Sequence, residues 1–297
     1  MTNNRLAWFM AFLATLAYST GSPIARTLFM GGMSPTAMLA VRYLLATLLL
    51  AITLRFTWRE QIKIDRRGLW ICMLAGLVNG LSTLAYFWGL SRMSASVSAM
   101  LFTVYPLAVL GILALRGERF TLRSGVRVLL GIGGVYLLVM PGGEIDPLGV
   151  VLVLLAAVSF ALSLVIVQWY LPGYSSMTVS YYTGIAITIV VSTFWLAQGA
   201  EWQELGWQGW LAILFMTVVG TYLARISMFK AVRGFGSFQM ALFSPLETLL
   251  TITWSMLFLQ ERLTLIQWLG GGLIILSMLL AFSLSPLHAK RQAARVN

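Results

Sequence analysis

Length, composition and charge place this chain in a lipid bilayer. Its 297 residues are 59% apolar and only 10% charged, which is far from the balance of an ordinary soluble domain. The formal net charge of +11 is large, yet the lysines and arginines lie in short loops beside apolar stretches and form no aromatic-basic face. We therefore expect an integral membrane protein whose first partner is the lipid bilayer, with no nucleic-acid partner.

Ten apolar stretches follow one another along the chain. A hydrocarbon core about 30 Å thick needs roughly 20 apolar helical residues to cross it. The pattern predicts an all-α integral membrane protein with ten transmembrane helices. The predicted spans cover residues 6–29, 36–54, 69–90, 94–115, 124–140, 147–171, 176–197, 207–229, 236–259 and 264–284.

The second half of the sequence repeats features of the first half. Glu118-Arg119-Phe120-Thr121-Leu122 returns as Glu261-Arg262-Leu263-Thr264-Leu265, and each copy precedes a glycine-bearing apolar stretch. We predict two five-helix repeats, residues 1–143 and residues 144–297, the second ending in a short basic tail. Because five is an odd number, the second repeat must enter the membrane from the opposite side. Inverted repeats around a central cavity are typical of transporters.

The cations near the ends of the spans are divided unequally between the two sides of the membrane. Cytoplasmic loops of membrane proteins carry an excess of lysine and arginine. One side of this chain carries Arg5, the segments 55–67 and 116–123, Lys230 and Arg233, and the C-terminal segment. We expect that side, and with it both chain termini, to face the cytoplasm of a bacterial inner membrane.

Polar side chains recur on one face of several predicted spans. Such residues are tolerated in a bilayer where they line a cavity or bond to a neighbouring helix, and for any single Ser or Thr both interpretations stay open. The stripes recur in spans one, three, four, six, eight and nine, so a shared cavity is the economical explanation. The candidate substrate-binding residues are Tyr18, Ser22, Asn79, Ser82, Tyr86, Ser98, Tyr105, Ser159, Ser163, Tyr222, Gln239 and Ser244.

Three prolines and one acidic residue lie inside predicted spans. Pro23, Pro106 and Pro245 each remove a backbone hydrogen bond, so they are candidate hinges. Glu247 lies near the centre of span nine, where a charged carboxylate is costly. It is a possible coupling residue that exchanges a proton, or a partner for a substrate amine. The competing interpretation is a structural carboxyl group that is protonated or held by hydrogen bonds.

Two arginines, Arg42 and Arg225, also lie inside predicted spans. Long basic side chains near the ends of spans commonly extend along their aliphatic stems to the polar interface. We expect that arrangement for Arg225, which is close to the cytoplasmic end of span eight. For Arg42, a reach to the interface and a pairing with a carboxylate both remain open.

Features of an enzyme or of a cofactor site are missing from the sequence. Cys72 is the sole cysteine and His288 the sole histidine, so neither a disulfide within the chain nor a histidine cluster can form. The sequence contains no Walker A loop and no motif for a serine nucleophile. We expect no catalytic residues, no metal ion and no cofactor.

Several of these features occur together in one known family. They are the ten spans in two halves, the arginine of Ala40-Val41-Arg42-Tyr43, the Gly117-Glu118-Arg119 and Gln260-Glu261-Arg262 signatures after spans four and nine, and the glycine-rich fifth and tenth spans. The chain resembles the EamA family of the drug/metabolite transporter superfamily, and looks most like bacterial exporters of aromatic amino acids and methyl viologen.

The resemblance implies a basket of helices around a central cavity, alternating access between the repeats, and export of amino acids or related small metabolites. We further expect a chain that works as a monomer. Exchange of nucleotide sugars or other metabolites, export of cationic drugs, and a passive channel are the alternatives.

Overall fold

A computed structural model describes residues 2–57, 62–115, 122–139 and 146–282 of the chain. Within these ranges the secondary structure is helical and no strand is present. The Gly117-Glu118-Arg119 signature and the basic tail after residue 282 lie outside the described residues. The expectation of an all-α membrane protein is therefore confirmed for the described part of the chain.

The helices follow the predicted spans closely. They are α1 (Thr2–Ser19), α2 (Gly21–Met30), α3 (Pro35–Thr57), α4 (Arg66–Arg92), α5 (Ala95–Phe102), α6 (Tyr105–Ala114), α7 (Leu122–Val139), α8 (Pro147–Tyr170), α9 (Ser176–Ala197), α10 (Trp207–Thr217), α11 (Ala224–Phe235), α12 (Ser237–Ala241), α13 (Ser244–Phe258) and α14 (Leu265–Phe282). A π-helical segment, Val218–Leu223, joins α10 to α11.

Length and composition qualify seven helical stretches of the described residues as membrane spans. They correspond to predicted spans two, three, four, six, seven, eight and nine. Span one is divided into α1 and α2 at Thr20, and spans five and ten contain shorter apolar helices, Leu129–Leu138 and Leu265–Ser277. Helices thus occupy all ten predicted spans. In spans one, five and ten, however, the described helices are too short or too polar to cross a membrane as a single helix.

Short polar side chains determine where several of these helices begin. The Asp146 carboxylate accepts a hydrogen bond from the Leu148 amide at 2.9 Å and so caps α8; Ser94 and Ser175 cap α5 and α9 in the same way. Arg92 donates to Asp146 at 2.8 Å, and this hydrogen bond is the largest contribution that holds the pKa of Asp146 below its ordinary value. The pair is solvent-exposed, so it orients the loop more than it stabilises the fold.

Three spans are interrupted near a proline. Pro23, Pro106 and Pro245 lie in the first turn of α2, α6 and α13, where a missing amide proton is tolerated within the new helix. The proline nevertheless leaves a carbonyl in the preceding helix without its usual donor. The Ser19 carbonyl, which would have paired with residue 23, accepts a hydrogen bond from the Thr251 hydroxyl at 3.1 Å instead. The break in span one is thereby attached to span nine in the other repeat.

Span eight has an irregularity that the sequence did not indicate. The π-helical segment lets the Thr221 hydroxyl donate to the carbonyl of Met216, five residues earlier, at 3.2 Å. Thr217, Thr221 and Arg225, which are four residues apart in sequence, therefore do not lie on one straight face as they would in a regular α-helix. Such π-bulges free backbone carbonyls and recur at functional sites.

Helices α7 and α14, the fifth span of each repeat, pack closely through glycines. A Cβ atom at Gly134 would lie 2.6 Å from the carbonyl oxygen of Gly270, and one at Gly270 would lie 2.8 Å from that of Gly134. Small residues that let two backbones approach are a common means of helix association in membranes. The glycine-rich character of these two spans thus has a structural cause.

This contact predicts different effects for two neighbouring substitutions. Gly134→Ala places a methyl group against backbone that cannot move independently, so we expect a loss of about 1–3 kcal/mol in stability. Gly133→Ala is the matched control, because nothing lies within 4 Å of its added Cβ atom. Thermal unfolding of the purified protein in detergent measures both. Equal midpoints for the two variants would contradict the close packing.

Candidate functional site

A cavity of ≈ 110 Å³ lies at the centre of the helices. That volume exceeds the roughly 10–15 Å³ needed for one water molecule several-fold, so a small solute fits. Residues from both repeats contribute, and the breaks in spans one, four and nine lie beside it. The lining residues are Tyr18, Gly21, Ser22, Arg42, Tyr43, Asn79, Ser82, Thr83, Tyr86, Phe87, Phe102, Tyr105, Phe160, Leu164, Arg225, Met228, Met240 and Glu247.

One wall of the cavity consists of aromatic rings in mutual contact. The ring of Phe102 lies 4.9 Å from Tyr86, 5.4 Å from Tyr105 and 5.5 Å from Phe160, measured between centroids. Offset and edge-to-face rings at such distances attract one another. The Tyr86 and Ser22 hydroxyls are hydrogen-bonded at 2.7 Å. The wall is therefore a fixed apolar surface with a polar edge.

Arg42 lies in the cavity lining and not at the membrane interface. Only 4% of its surface is exposed, and its guanidinium donates to the Thr221 hydroxyl at 2.6 Å and to the Gly220 carbonyl at 2.9 Å. The rings of Tyr43 and Phe87 lie 5.8 and 5.6 Å from the guanidinium carbon. Its Nη1 has no hydrogen-bond partner among the described residues. The interpretation in which the Arg42 side chain extends to the membrane interface is thus wrong. The Gly220 carbonyl that accepts its hydrogen bond belongs to the π-helical segment.

Arg225 is a second buried guanidinium in the same lining. It is 3% exposed, and it donates to the Thr183 hydroxyl at 2.6 Å while packing over the Phe229 ring at 5.5 Å. Its Nε has no hydrogen-bond partner within the described ranges. The expectation that Arg225 extends to the cytoplasmic interface is therefore wrong. Hydropathy could not show this, because its partner Thr183 lies on a different span, α9.

Glu247 brings a carboxyl group to the same cavity. It lies in the first turn of α13, two residues after Pro245, and its half-buried side chain is part of the cavity lining. Its carboxylate forms neither a hydrogen bond nor an ion pair with any residue in the described part of the chain. The alternative of a carboxyl group held by hydrogen bonds is thus not supported, and the alternative of a protonated structural carboxyl group stays open.

About half of the predicted binding residues meet in this cavity. Ser244 lies beside them, in a smaller chamber that shares part of its wall with the cavity. All six of the spans that were expected to line a cavity, spans one, three, four, six, eight and nine, contribute residues to it, and span two adds Arg42 and Tyr43. The predicted residues that line the main cavity are Tyr18, Ser22, Asn79, Ser82, Tyr86 and Tyr105.

Five predicted binding residues do not line the cavity: Ser98, Ser159, Ser163, Tyr222 and Gln239. Ser163 receives a hydrogen bond from Asn79 and donates to the Ala75 carbonyl, so it connects α8 to α4. Tyr222 is hydrogen-bonded to Thr53 on α3 at 3.0 Å. The helical period placed these residues on polar faces correctly, but some of those faces meet a neighbouring helix.

Both halves of the chain match the model of one protein family, the EamA-like transporter family, over residues 5–140 and 147–283. The chain belongs to the EamA-like transporter family. Its membrane-length helices and central cavity agree with that membership, which makes it a multi-pass membrane transporter for a small molecule. The substrate is not determined by the family.

Two relatives of this EamA-like transporter bear names of the same kind. "Uncharacterized transporter YcbK" of Bacillus subtilis is 27% identical over 281 residues, which cover 88% of this chain and 87% of that protein. An "Uncharacterized transporter" of Archaeoglobus fulgidus is 22% identical over 230 residues, or 77% and 81% of the two chains. A solved crystal structure superposes with a TM-score of 0.70 over 96% of this chain and 98% of its own, at 17% identity, which shows a shared fold.

Thiol labelling can test whether water reaches the cavity. In a Cys72→Ala background, Ser22→Cys should react readily with a small charged thiol reagent, because the reactive thiolate needs a hydrated site. Ser163→Cys is the matched control, since Ser163 is comparably buried but lies between α4 and α8. We expect much faster labelling at position 22. Equal labelling rates at the two positions would show that the cavity is closed to water.

Proposed function

We propose that this EamA-like transporter exports amino acids, aromatic ones included, from a bacterial cytoplasm across the inner membrane. In this proposal the two five-helix repeats, residues 1–143 and 144–297, are inverted and both termini are cytoplasmic. One monomer is the functional unit. The observation that carries the proposal is the presence of two buried guanidinium groups and one carboxylate in a single cavity.

The charges of the cavity complement those of a free amino acid. A substrate carboxylate can accept hydrogen bonds from Arg42 and Arg225, each of which has a guanidinium nitrogen without a described partner. A substrate ammonium group can pair with the Glu247 carboxylate. Hydrogen bonds to charged groups in a water-poor site contribute about 1.5–3 kcal/mol each. Both ends of a zwitterion are thereby recognised, and the remaining positive charge favours the carboxylate end.

The aromatic wall supports apolar and aromatic substrate side chains. The faces of Phe102, Tyr105 and Phe160 offer a surface on which a ring can stack or insert edge-on. Tyr86 and Asn79 add polar groups at its margin. The same wall accommodates aliphatic side chains through burial alone, which supports a broad range of amino acids.

The broken helices support transport by alternating access. Discontinuous helices at the interface between inverted repeats are a recurring site of substrate binding and of bending in secondary transporters. Pro23, Pro106 and Pro245 are the proposed hinges, because each begins a new helix beside the cavity. Movement of one repeat against the other would expose the cavity to the two sides in turn.

The two guanidinium groups and the volume of the cavity also bear on the alternative substrates. Two guanidinium groups disfavour cationic drugs, because they repel a cation that enters the cavity. They favour anionic metabolites, so a small carboxylate or phosphate is the second candidate. A nucleotide sugar is a poor match, since the cavity of ≈ 110 Å³ is below the range of about 300–1,000 Å³ usual for drug-sized ligands. A passive channel would not need complementary charges at all.

Counterflow in proteoliposomes tests the proposal. Liposomes that contain the purified chain and unlabelled phenylalanine should accumulate labelled phenylalanine in a saturable, trans-stimulated manner. Arg42→Gln and Arg225→Gln should each raise the half-saturating concentration by about 10- to 100-fold, since each removes a charged hydrogen-bond donor worth about 1.5–3 kcal/mol. Arg233→Gln, at the exposed cytoplasmic end of α11, should leave it unchanged.

Inhibition by phenethylamine, which lacks the carboxylate, separates recognition from misfolding. Its inhibition constant should be unchanged or lower in the two arginine variants, whereas a damaged cavity would weaken both compounds. Loss of phenylalanine counterflow with thermal stability intact supports the assigned role. Wild-type phenylalanine kinetics in both variants would refute the carboxylate site, and non-saturable flux in the wild-type chain would indicate a channel.

A further inference from the structure

The second of the two repeated Glu-Arg signatures forms a contact between the repeats. Glu261 follows α13 in the second repeat, and its partly buried carboxylate reaches the start of α5 in the first. One oxygen accepts a hydrogen bond from the Ala95 amide at 2.7 Å. The other accepts from the Ser96 amide at 3.0 Å and from the Ser96 hydroxyl at 2.6 Å. These three hydrogen bonds form an outer clasp, at the end of the spans that faces the periplasm in the proposed topology.

The carboxylate lies where a helix attracts negative charge. The first amides of a helix lack a partner within the helix and carry the positive end of its dipole. In α5, Glu261 accepts from the first two of these amides, and Ser94 accepts from the next one, Val97, at 3.3 Å. Ser94 belongs to the same repeat as α5, whereas Glu261 does not. Because hydrogen bonds to a carboxylate are roughly twice as strong as neutral ones, the clasp is a strong contact between the repeats.

The backbone before Glu261 has a conformation that is uncommon for its residue type. At the end of α13 the Leu259 amide donates to the Ser255 carbonyl, and Gln260 then has a φ of 54°. Residues with a Cβ atom rarely adopt this left-handed region, and those that do cluster at functional sites. The turn brings the Glu261 amide back to the Ser255 carbonyl, at 3.4 Å. A left-handed turn thus fixes the residue that carries the carboxylate.

Helices α5 and α13 are joined at a second place, close to the cavity. The Ser244 hydroxyl donates to the Thr103 carbonyl at 3.3 Å, and the Thr248 and Thr103 hydroxyls are hydrogen-bonded to each other. These bonds lie next to Pro245 and within a turn of Pro106, two of the proposed hinges. The outer clasp is about two helical turns away along α5. Bending at the two prolines therefore separates the helices at the clasp and leaves the bonds near the hinges in place.

The start of α12, the corresponding helix of the second repeat, is held within its own repeat. There the Gln168 side chain of α8 accepts hydrogen bonds from the Ser237 amide at 2.6 Å and from the Ser237 hydroxyl. The acceptor is a neutral amide oxygen, and both residues belong to the second repeat. Movement of one repeat against the other can leave this contact intact, whereas the same movement must break the outer clasp if it opens the periplasmic side.

We propose that the outer clasp is a gate: it closes the periplasmic side of the cavity and holds the substrate-free transporter open toward the cytoplasm. The inference rests on the inverted topology and the alternating access of the proposed function. Helix α5 connects the clasp to Phe102, whose ring contacts Tyr86, Tyr105 and Phe160 in the aromatic wall. A substrate bound against that wall and the clasp therefore act on the same helix.

Thiol labelling from each side of the membrane tests the gate. In a Cys72→Ala background, Ser22→Cys reports from the cavity. A membrane-impermeant charged maleimide is added to right-side-out and to inverted membrane vesicles that have been washed free of amino acids. We expect faster labelling from the cytoplasmic side. Glu261→Gln keeps the side-chain shape but replaces one acceptor oxygen with a donor, so labelling from the periplasmic side should rise about tenfold, the equivalent of 1.4 kcal/mol.

Labelling from the cytoplasmic side should not rise in Glu261→Gln, because one conformation gains population at the expense of the other. Ser96→Ala removes one of the three hydrogen bonds and should raise periplasmic labelling less than Glu261→Gln does. Because the two residues are in contact, the double variant should show less than the sum of the two effects. Glu204→Gln is the matched control: it removes an exposed carboxylate before α10, on the same side, and should label as the parent does.

Thermal unfolding identifies any variant that has not folded, and Ser96→Ala replaces Glu261→Gln if that variant fails. Unchanged periplasmic labelling in the folded Glu261→Gln variant would overturn the gate. Faster labelling from both sides would also overturn it, since the carboxylate would then only stabilise the fold. Labelling of the parent that is faster from the periplasmic side would refute the closed state assigned to the substrate-free chain.

The labelling requires no substrate, so it separates the gate from amino-acid export. The expected labelling changes in a chain that shows no phenylalanine counterflow would leave the gate standing and refute amino-acid export. Saturable phenylalanine counterflow together with unchanged labelling in Glu261→Gln would refute the gate and leave the proposed function standing.

Discussion

The burial of two guanidinium groups inside a membrane protein is the constraint on which the rest of this structure depends. A charged side chain in the bilayer is tolerated when it faces a cavity or a polar partner. Here the partners are Thr183 for Arg225, and Thr221 with the Gly220 carbonyl for Arg42. The π-helical segment explains how a backbone carbonyl becomes available in the middle of a span. The π-helical irregularity of span eight and the placement of the Arg42 guanidinium in the cavity are therefore linked.

At the proline breaks, too, a side chain donates a hydrogen bond to a backbone carbonyl that an irregular helix has left free. A proline leaves a carbonyl without its usual amide donor, and in a bilayer that carbonyl must find another. The Thr251 hydroxyl meets this need for Ser19, and in doing so it joins spans one and nine across the two repeats. Ser244 and Thr248 of α13 likewise bond to Thr103 of span four. The Glu247 carboxyl group has no hydrogen-bond partner among the described residues, so it is available to a substrate in the cavity.

Much of the fold was predictable because membrane-length apolar stretches and the repeated Glu-Arg signatures are local patterns. The cavity was only partly predictable. A helical period places Ser98, Ser163 and Ser82 on polar faces, but whether such a face meets a helix or a cavity depends on packing partners far along the chain. Arg225 was misplaced, and Arg42 was left open, for the same reason: a side chain that extends to the interface and one that is buried give identical hydropathy. The π-helical segment shifted the phase of span eight and left no signal in the sequence.

The most direct test of the account is a structure of the purified chain with phenylalanine bound. We expect density for the substrate in the central cavity, with its carboxylate within hydrogen-bond distance of Arg42 or Arg225. Its ring should contact the wall formed by Phe102, Tyr105 and Phe160. Phenylalanine bound with its carboxylate away from both guanidinium groups, or bound outside this cavity, would contradict the central claim.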